Sequence, residues 1–159
     1  MTVFEHPATR GEIGRLLNSI SLLPERTHMA GVYALGKSHR VIALISEAGW
    51  DKPIYNHGAL EALCALYEAS GVPLGPLELV SKTDGNLAGE IVVAPPGSMT
   101  DVWSRRFADP VPAFASGWMR VRARVRQRAV ELPLALSDHA AWAGLCATVI
   151  ATGGPPPRV

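Results

Sequence analysis

Residues 27–49 read THMAGVYALGKSHRVIALISEAG, and the fold turns on where the strand ends within them. Positions 31–38, GVYALGKS, satisfy the phosphate-binding pattern G-x-x-x-x-G-K-[ST] at every fixed position. In a P-loop the strand is complete before the first glycine, and bare loop amides wrap a phosphate ahead of a helix carrying the Lys and Ser. Here LLPERTHMA precedes Gly31, and its proline and polar side chains leave room for only a stub of strand. The strand is therefore MAGVYAL itself. Val32, Tyr33, Ala34 and Leu35 are expected to be extended, with their amides engaged in sheet pairing rather than free for phosphate. KSHRVIALISEAG follows as a helix stopped by Gly49, with Lys37 and Ser38 at its N-terminus, where an anion can be met without a nucleotide. An NTP-binding phosphotransferase of the P-loop kind, with LPLALSD as a strand ending in a magnesium-binding Asp, is the alternative reading.

The same alternation extends along the chain. ATRGEIGRLLNSISLL places Ile13, Leu16, Leu17 and Ile20 at helical spacing, with Thr9 and Glu12 in the relation of a capping box. KPIYNHG, LELVS, EIVVAPP, VPAFASGW and ELPLALSD read as strands. ALEALCALYEASG, SMTDVWSRRFAD and HAAWAGLCATVIATG read as helices. Strands separated by helices argue for an α/β fold with a mainly parallel sheet covered by helices on both faces, in three layers, because parallel neighbours require a crossover. Ligands in such folds gather at the carboxyl ends of the strands.

A chain of 159 residues, 48% hydrophobic and 18% charged, has the composition of one folded domain. Its net charge of +1 gives no global pull toward nucleic acid or membrane, so any such attraction must be local. Seven arginines lie between positions 105 and 128, where Asp109 is the only opposing charge. Arg120, Arg122, Arg124, Arg126 and Arg128 alternate with uncharged residues, so an extended conformation sets five guanidinium groups on one side. That pattern suits tracking a phosphate backbone, and it equally suits a solvated edge strand guarded by charge. Cys64 and Cys146 sit in apolar helical patterns without C-x-x-C spacing, which points to reduced thiols and a cytoplasmic setting. No stretch has the apolar length of a membrane span, and the opening MTVFEHPATRGE lacks the design of a secretion signal.

YALGKSHRVIALI, PIYNHGALEALCALYE, VVAPPGSMTDVWSRRF and AFASGWMRVRARVRQRAVELPLALSDHAAW, taken in order, resemble the β-CASP region of metallo-β-lactamase-fold nucleases. The closest likeness is to the bacterial ligase-associated DNA damage response exonucleases, also described as mRNA 3′-end processing factors. The resemblance spans nearly the whole chain. It implies a β-CASP-like domain over residues 1–130 and, over 131–159, a return segment into a truncated metallo-β-lactamase-like half. It also implies a zinc-dependent hydrolase that cleaves phosphodiester bonds in DNA repair, gripping a single strand of DNA or RNA. DNA ligase and helicase repair partners follow from the same likeness, and a membrane partner does not.

The family's two zinc ions are held by an H-x-H-x-D-H cluster and further ligands, none of which this sequence contains. No metal site or cofactor is therefore expected within this chain, and the isolated chain is expected to be inactive. SDHAAW resembles the family's SDHADW motif, with His139 at the histidine that faces the scissile phosphate, Ser137 and Asp138 before it, and Ala141 in place of the family's Asp. Read as residues alone, Ser137 and Asp138 start a helix and His139 sits exposed in its first turn. The resemblance gives His139 the catalytic role and assigns Ser137, Asp138, Lys37, Ser116, Gly117, Arg120, Arg122 and Arg124 to substrate binding. A non-catalytic nucleic-acid-binding or interaction domain is the remaining reading.

Overall fold

Strand β1 (His28–Gly31) occupies an interior position in a six-stranded sheet. The computed structural model describes residues 9–120, 130–139 and 142–154. Around β1 the chain builds α1 (Thr9–Leu22), α2 (Lys37–Glu47), β2 (Ile54–Asn56), α3 (Glu61–Ala69), β3 (Leu77–Leu79), β4 (Ile91–Ala94), β5 (Val111–Ala115), β6 (Leu132–Leu134) and α4 (Trp142–Ala151). The strand order is β3-β2-β4-β1-β5-β6, and every neighbouring pair is parallel. Both faces of the central strands are closed to water, which is why IVVA of β4 reads as an unbroken apolar run rather than an alternating one.

Alternate residues of each strand nevertheless go to different layers. Ala30, Val32, Ile91, Val93, Ala113, Ala115 and Leu134 share one core with Ile13, Leu16 and Ile20 of α1 and Val41, Ile42 and Ile45 of α2. Met29 and Val92 join Val80, Leu87 and Phe107 on the opposite face, with Tyr55, Met99 and Trp103 packed against them. The protein is thus α/β with an all-parallel sheet between two covering layers, as the alternation of elements implies.

The second cover differs from the expected helix over SMTDVWSRRFAD. It consists of 3-10 turns at Pro96–Met99 and Val102–Arg106. Asp101 breaks the run, because its carboxylate accepts a hydrogen bond from the Val102 amide at 2.6 Å and starts a new turn. This connection passes close over β1. A Cβ on Gly31 would collide with the Met99 side chain, so the first glycine of the GVYALGKS pattern is needed for packing.

Two polar clamps fasten the sheet from outside. Arg26 bonds Glu131 at 2.9 Å and Asp109 at 3.0 Å, tying the segments that enter β1, β5 and β6. Glu12 is buried, and its carboxylate accepts from the Ala135 amide at 2.8 Å and from Arg15 at 3.0 Å. The capping-box role read for Glu12 gives way to this long-range bond just beyond β6. Among the described residues no helix is long and apolar enough to cross a membrane.

Candidate functional site

The loops after β1 and β5 diverge. From β1 the chain travels toward β2 on one side of the sheet, and from β5 it travels to β6 on the other. A crevice at the carboxyl ends of two such strands is where open α/β sheets bind ligands. Residues 33–38, residues 116–120 and residues 137–139 all follow strands at this end of the sheet.

The β1 ladder ends sooner than the sequence suggests. Val32 still donates to the Ala94 carbonyl at 2.9 Å, but residues 34–36 form a turn instead of extended chain. Gly36 has φ 72° and ψ −58°, and the Lys37 amide donates to the Leu35 carbonyl at 2.8 Å, the geometry of a γ-turn. That strained conformation lets α2 start abruptly and points its first residues back over the strand ends.

Lys37 is buried, and its Nζ lies 2.9 Å from Asp138 Oδ1 and 5.6 Å from the centre of the Tyr33 ring. Partial burial alone would raise the Asp138 pKa. The Lys37 hydrogen bond, with help from a backbone amide and the Lys37 and His139 charges, outweighs burial and holds the carboxyl below its usual value. The Ser38 hydroxyl donates to the Ala34 carbonyl at 2.6 Å and lies 3.3 Å from His39 Nδ1. With its proton directed at Ala34, the Ser38 oxygen is left to accept from Nδ1–H of His39. His39 is stacked flat on Tyr67 at 4.0 Å, and burial pushes its pKa down.

His139 follows Asp138 with its side chain 85% exposed and its Nε2 3.7 Å from Asp138 Oδ1. Its backbone amide donates to Ser137 Oγ at 3.1 Å, so Ser137 fixes the turn that presents the imidazole. Ser116 is buried, its amide donating to the Leu134 carbonyl at 3.0 Å and its hydroxyl oxygen accepting from the Trp118 amide at 3.3 Å. Gly117 opens the 3-10 turn Gly117–Arg120, and Arg120 ends it exposed. Arg122 and Arg124, with the rest of the stripe through Arg128, lie outside the described residues.

The fold therefore joins Lys37, Asp138 and His139 by direct contact, although about a hundred residues separate the first from the other two. It sets Ser116 beside the strand that leads to Ser137. Two aromatic side chains not singled out by the sequence reading flank this end: Tyr33, half exposed, and Trp118, 57% exposed. The Tyr33 ring meets Phe114 of β5 edge-on, with centroids 6.3 Å apart. The available signal for both was a large aromatic side chain just beyond an apolar strand, at the end of the sheet where ligands gather.

His57, at the end of β2, uses Nδ1 to accept from the Ala59 amide at 3.0 Å and caps a short turn. Among the described residues no group of three or more His, Cys, Asp or Glu is placed to hold a metal ion, so the described residues do not fit a zinc centre. No family model matches the chain, and no curated protein matches it.

Proposed function

We propose that this chain is the nucleic-acid-gripping, β-CASP-like portion of a cytoplasmic zinc-dependent exonuclease acting on phosphodiester bonds in DNA repair, with the metal chemistry supplied by a metallo-β-lactamase-fold half. The observation that carries the reading is the junction of Lys37, Asp138 and His139 at the carboxyl ends of the strands. An exposed imidazole held by a tight turn can donate a proton to a phosphate oxygen or to a leaving oxygen, which is the acid role such cleavage needs. Asp138 anchors the loop that carries His139 to α2 through Lys37. Tyr33 and Trp118 supply faces on which bases of a single strand stack, while Arg120 supplies charge for the backbone.

Helix α4 supports the same reading from another side. Its sequence WAGLCATVIA is strongly apolar, yet Leu145 is 48% and Ile150 60% exposed. A helix of that composition is suited to packing against a second half. The hydrolytic nucleophile belongs to that half, and this chain contributes grip and a proton donor.

The P-loop reading is less well supported by the same contacts. Its chemistry needs the Ser38 hydroxyl on magnesium and the loop amides on phosphate. Here the Ser38 hydroxyl is bonded to Ala34, the Ser38 amide to the Tyr33 carbonyl and the Lys37 amide to the Leu35 carbonyl. Calorimetry with Mg-ATP is expected to give no binding heat, and heat abolished by Lys37→Ala would reinstate the phosphotransferase.

The proposal is tested in the chain together with its flanking sequence, assayed on single-stranded DNA and RNA. His139→Ala is expected to lower kcat by about 10²–10⁴, the usual worth of a positioned acid, with KM little changed. Unchanged turnover in that variant, or no cleavage by the flanked protein with zinc supplied, overturns the assignment.

A further inference from the structure

A concave site lies away from the Lys37–Asp138 junction, toward the opposite edge of the sheet. It is a cleft of about 370 Å³ between α3 and the carboxyl ends of β2 and β3. Asn56, the last residue of β2, lines it. Its side chain is almost wholly enclosed, with the residue 3% exposed, and its carboxamide has no hydrogen-bond partner among the described residues. Buried side-chain amides are normally satisfied, so one turned into a cleft without a protein partner is a group available to a ligand.

The walls define which ligand. Glu61 and Glu68 of α3 bring two carboxylates to the cleft, against the single ammonium of Lys82, while Glu78 shares the opposite face of the sheet with Tyr55. Lys82 is only loosely engaged, 3.9 Å from Glu61, and both side chains are well exposed. The remaining surface is the apolar flank of Leu77, Leu79 and Ala65. An anion is repelled by this balance, and no group of three metal-ligating side chains is present among the described residues.

We infer that the Asn56 cleft binds an alkylguanidinium or alkylammonium group. The cation meets the carboxylates, an N–H donates to the Asn56 carbonyl oxygen, and the methylene stem lies on Leu77 and Leu79. The volume suits a small ligand of this kind, and the ends of β2 and β3 are where an α/β sheet offers such a site. The inference is independent of the nuclease proposal.

Two sources carry this chemistry, a free diamine-type metabolite and an arginine side chain on a partner peptide. The test is a calorimetric and NMR amide-shift titration of the whole chain with agmatine, with a short acetylated, amidated peptide bearing one arginine, and with glutarate as the anionic control. Agmatine is expected to bind in the millimolar range or tighter, shifting amides around Asn56 and residues 77–79, while glutarate does not bind there. A preference for agmatine assigns the site to a metabolite, and a preference for the peptide assigns it to a partner's side chain.

The double variant Glu61→Gln/Glu68→Gln alters exposed helix positions and leaves the fold intact. It is expected to weaken binding about three- to tenfold, in line with the modest worth of exposed charge pairs. Asn56→Leu, which removes the acceptor oxygen from the cleft at similar size, is expected to weaken cation binding as well. Absence of a localised shift at about 10 mM of either cation, or binding unchanged in the double variant, overturns the inference.

Discussion

Lys37 Nζ sits 2.9 Å from Asp138 Oδ1, so the start of α2 is tied to the loop after β6 through a largely enclosed ion pair. The lysine side chain is 8% exposed and the aspartate 34%, which places the cost of desolvation mainly on the lysine. Asp138→Asn leaves that ammonium without its counter-charge. The loss is expected to be about 1–3 kcal/mol in urea unfolding, below the range for a fully buried pair because Asp138 remains partly solvated. Lys37→Met, which removes the charge and keeps the stem, is expected to cost less than Asp138→Asn, and the reverse order would show that the pair does not hold the loop.

The pair also sets a pH dependence. Asp138 is held below its ordinary pKa in the folded chain, so its contribution is complete above the unfolded value near 3.8 and disappears as pH falls through the lower folded value. Asp138→Asn is therefore expected to destabilise the chain at pH 7 and to make little difference at the acid end. Parallel stability curves for the two proteins down to that end would contradict this.

Buried histidines act in a higher window. His28 and His39 are both pushed below the ordinary histidine value of 6.5, with burial as the leading cause. The unfolded chain binds their protons more readily, so stability is present above that value and lost as pH falls through the depressed folded values. The thermal midpoint is expected to drop between pH 7.5 and pH 5.5, and His39→Phe, which keeps a ring against Tyr67, is expected to flatten the drop. An equally steep fall in His39→Phe would exclude His39 as a contributor.

Gly36 and Gly31 separate backbone strain from packing. A Cβ at Gly36 has room, its nearest neighbour being the Tyr67 hydroxyl at 3.9 Å, but φ is +72°. Gly36→Ala is expected to cost about 1–3 kcal/mol through the backbone alone. At Gly31 the obstacle is the Met99 side chain, so Gly31→Ala is expected to couple with Met99→Ala in a double-mutant cycle, whereas Gly36→Ala is not. Independence of Gly31 and Met99 would contradict the packing account.

How much of this was readable in advance follows from the range of each interaction. The helices at α1 and α2 and the apolar strand at β4 are written in local periodicity, and their alternation sufficed for an α/β parallel sheet. The helix over SMTDVWSRRFAD failed because one local competitor, the Asp101 carboxylate, restarts the chain at Val102. The extended reading of residues 33–35 failed because Gly36 allows a γ-turn that β propensity does not anticipate. Glu12 bonding Ala135 and Lys37 bonding Asp138 join positions about a hundred residues apart, and no local pattern encodes such a contact. The exposed turn position of His139 was legible from Ser137 and Asp138 before it, whereas Tyr33 and Trp118 stood out only once the strands ended where they do.

Equilibrium anisotropy of a labelled single-stranded oligonucleotide, titrated with the chain between 50 and 200 mM salt, tests the grip most directly. The account predicts binding that weakens with salt at about 0.7 logarithmic units per phosphate engaged, and a further loss of about 1–3 kcal/mol per stacked base in Tyr33→Ala and Trp118→Ala. No binding at the lowest salt, or binding that neither aromatic substitution weakens, would contradict it.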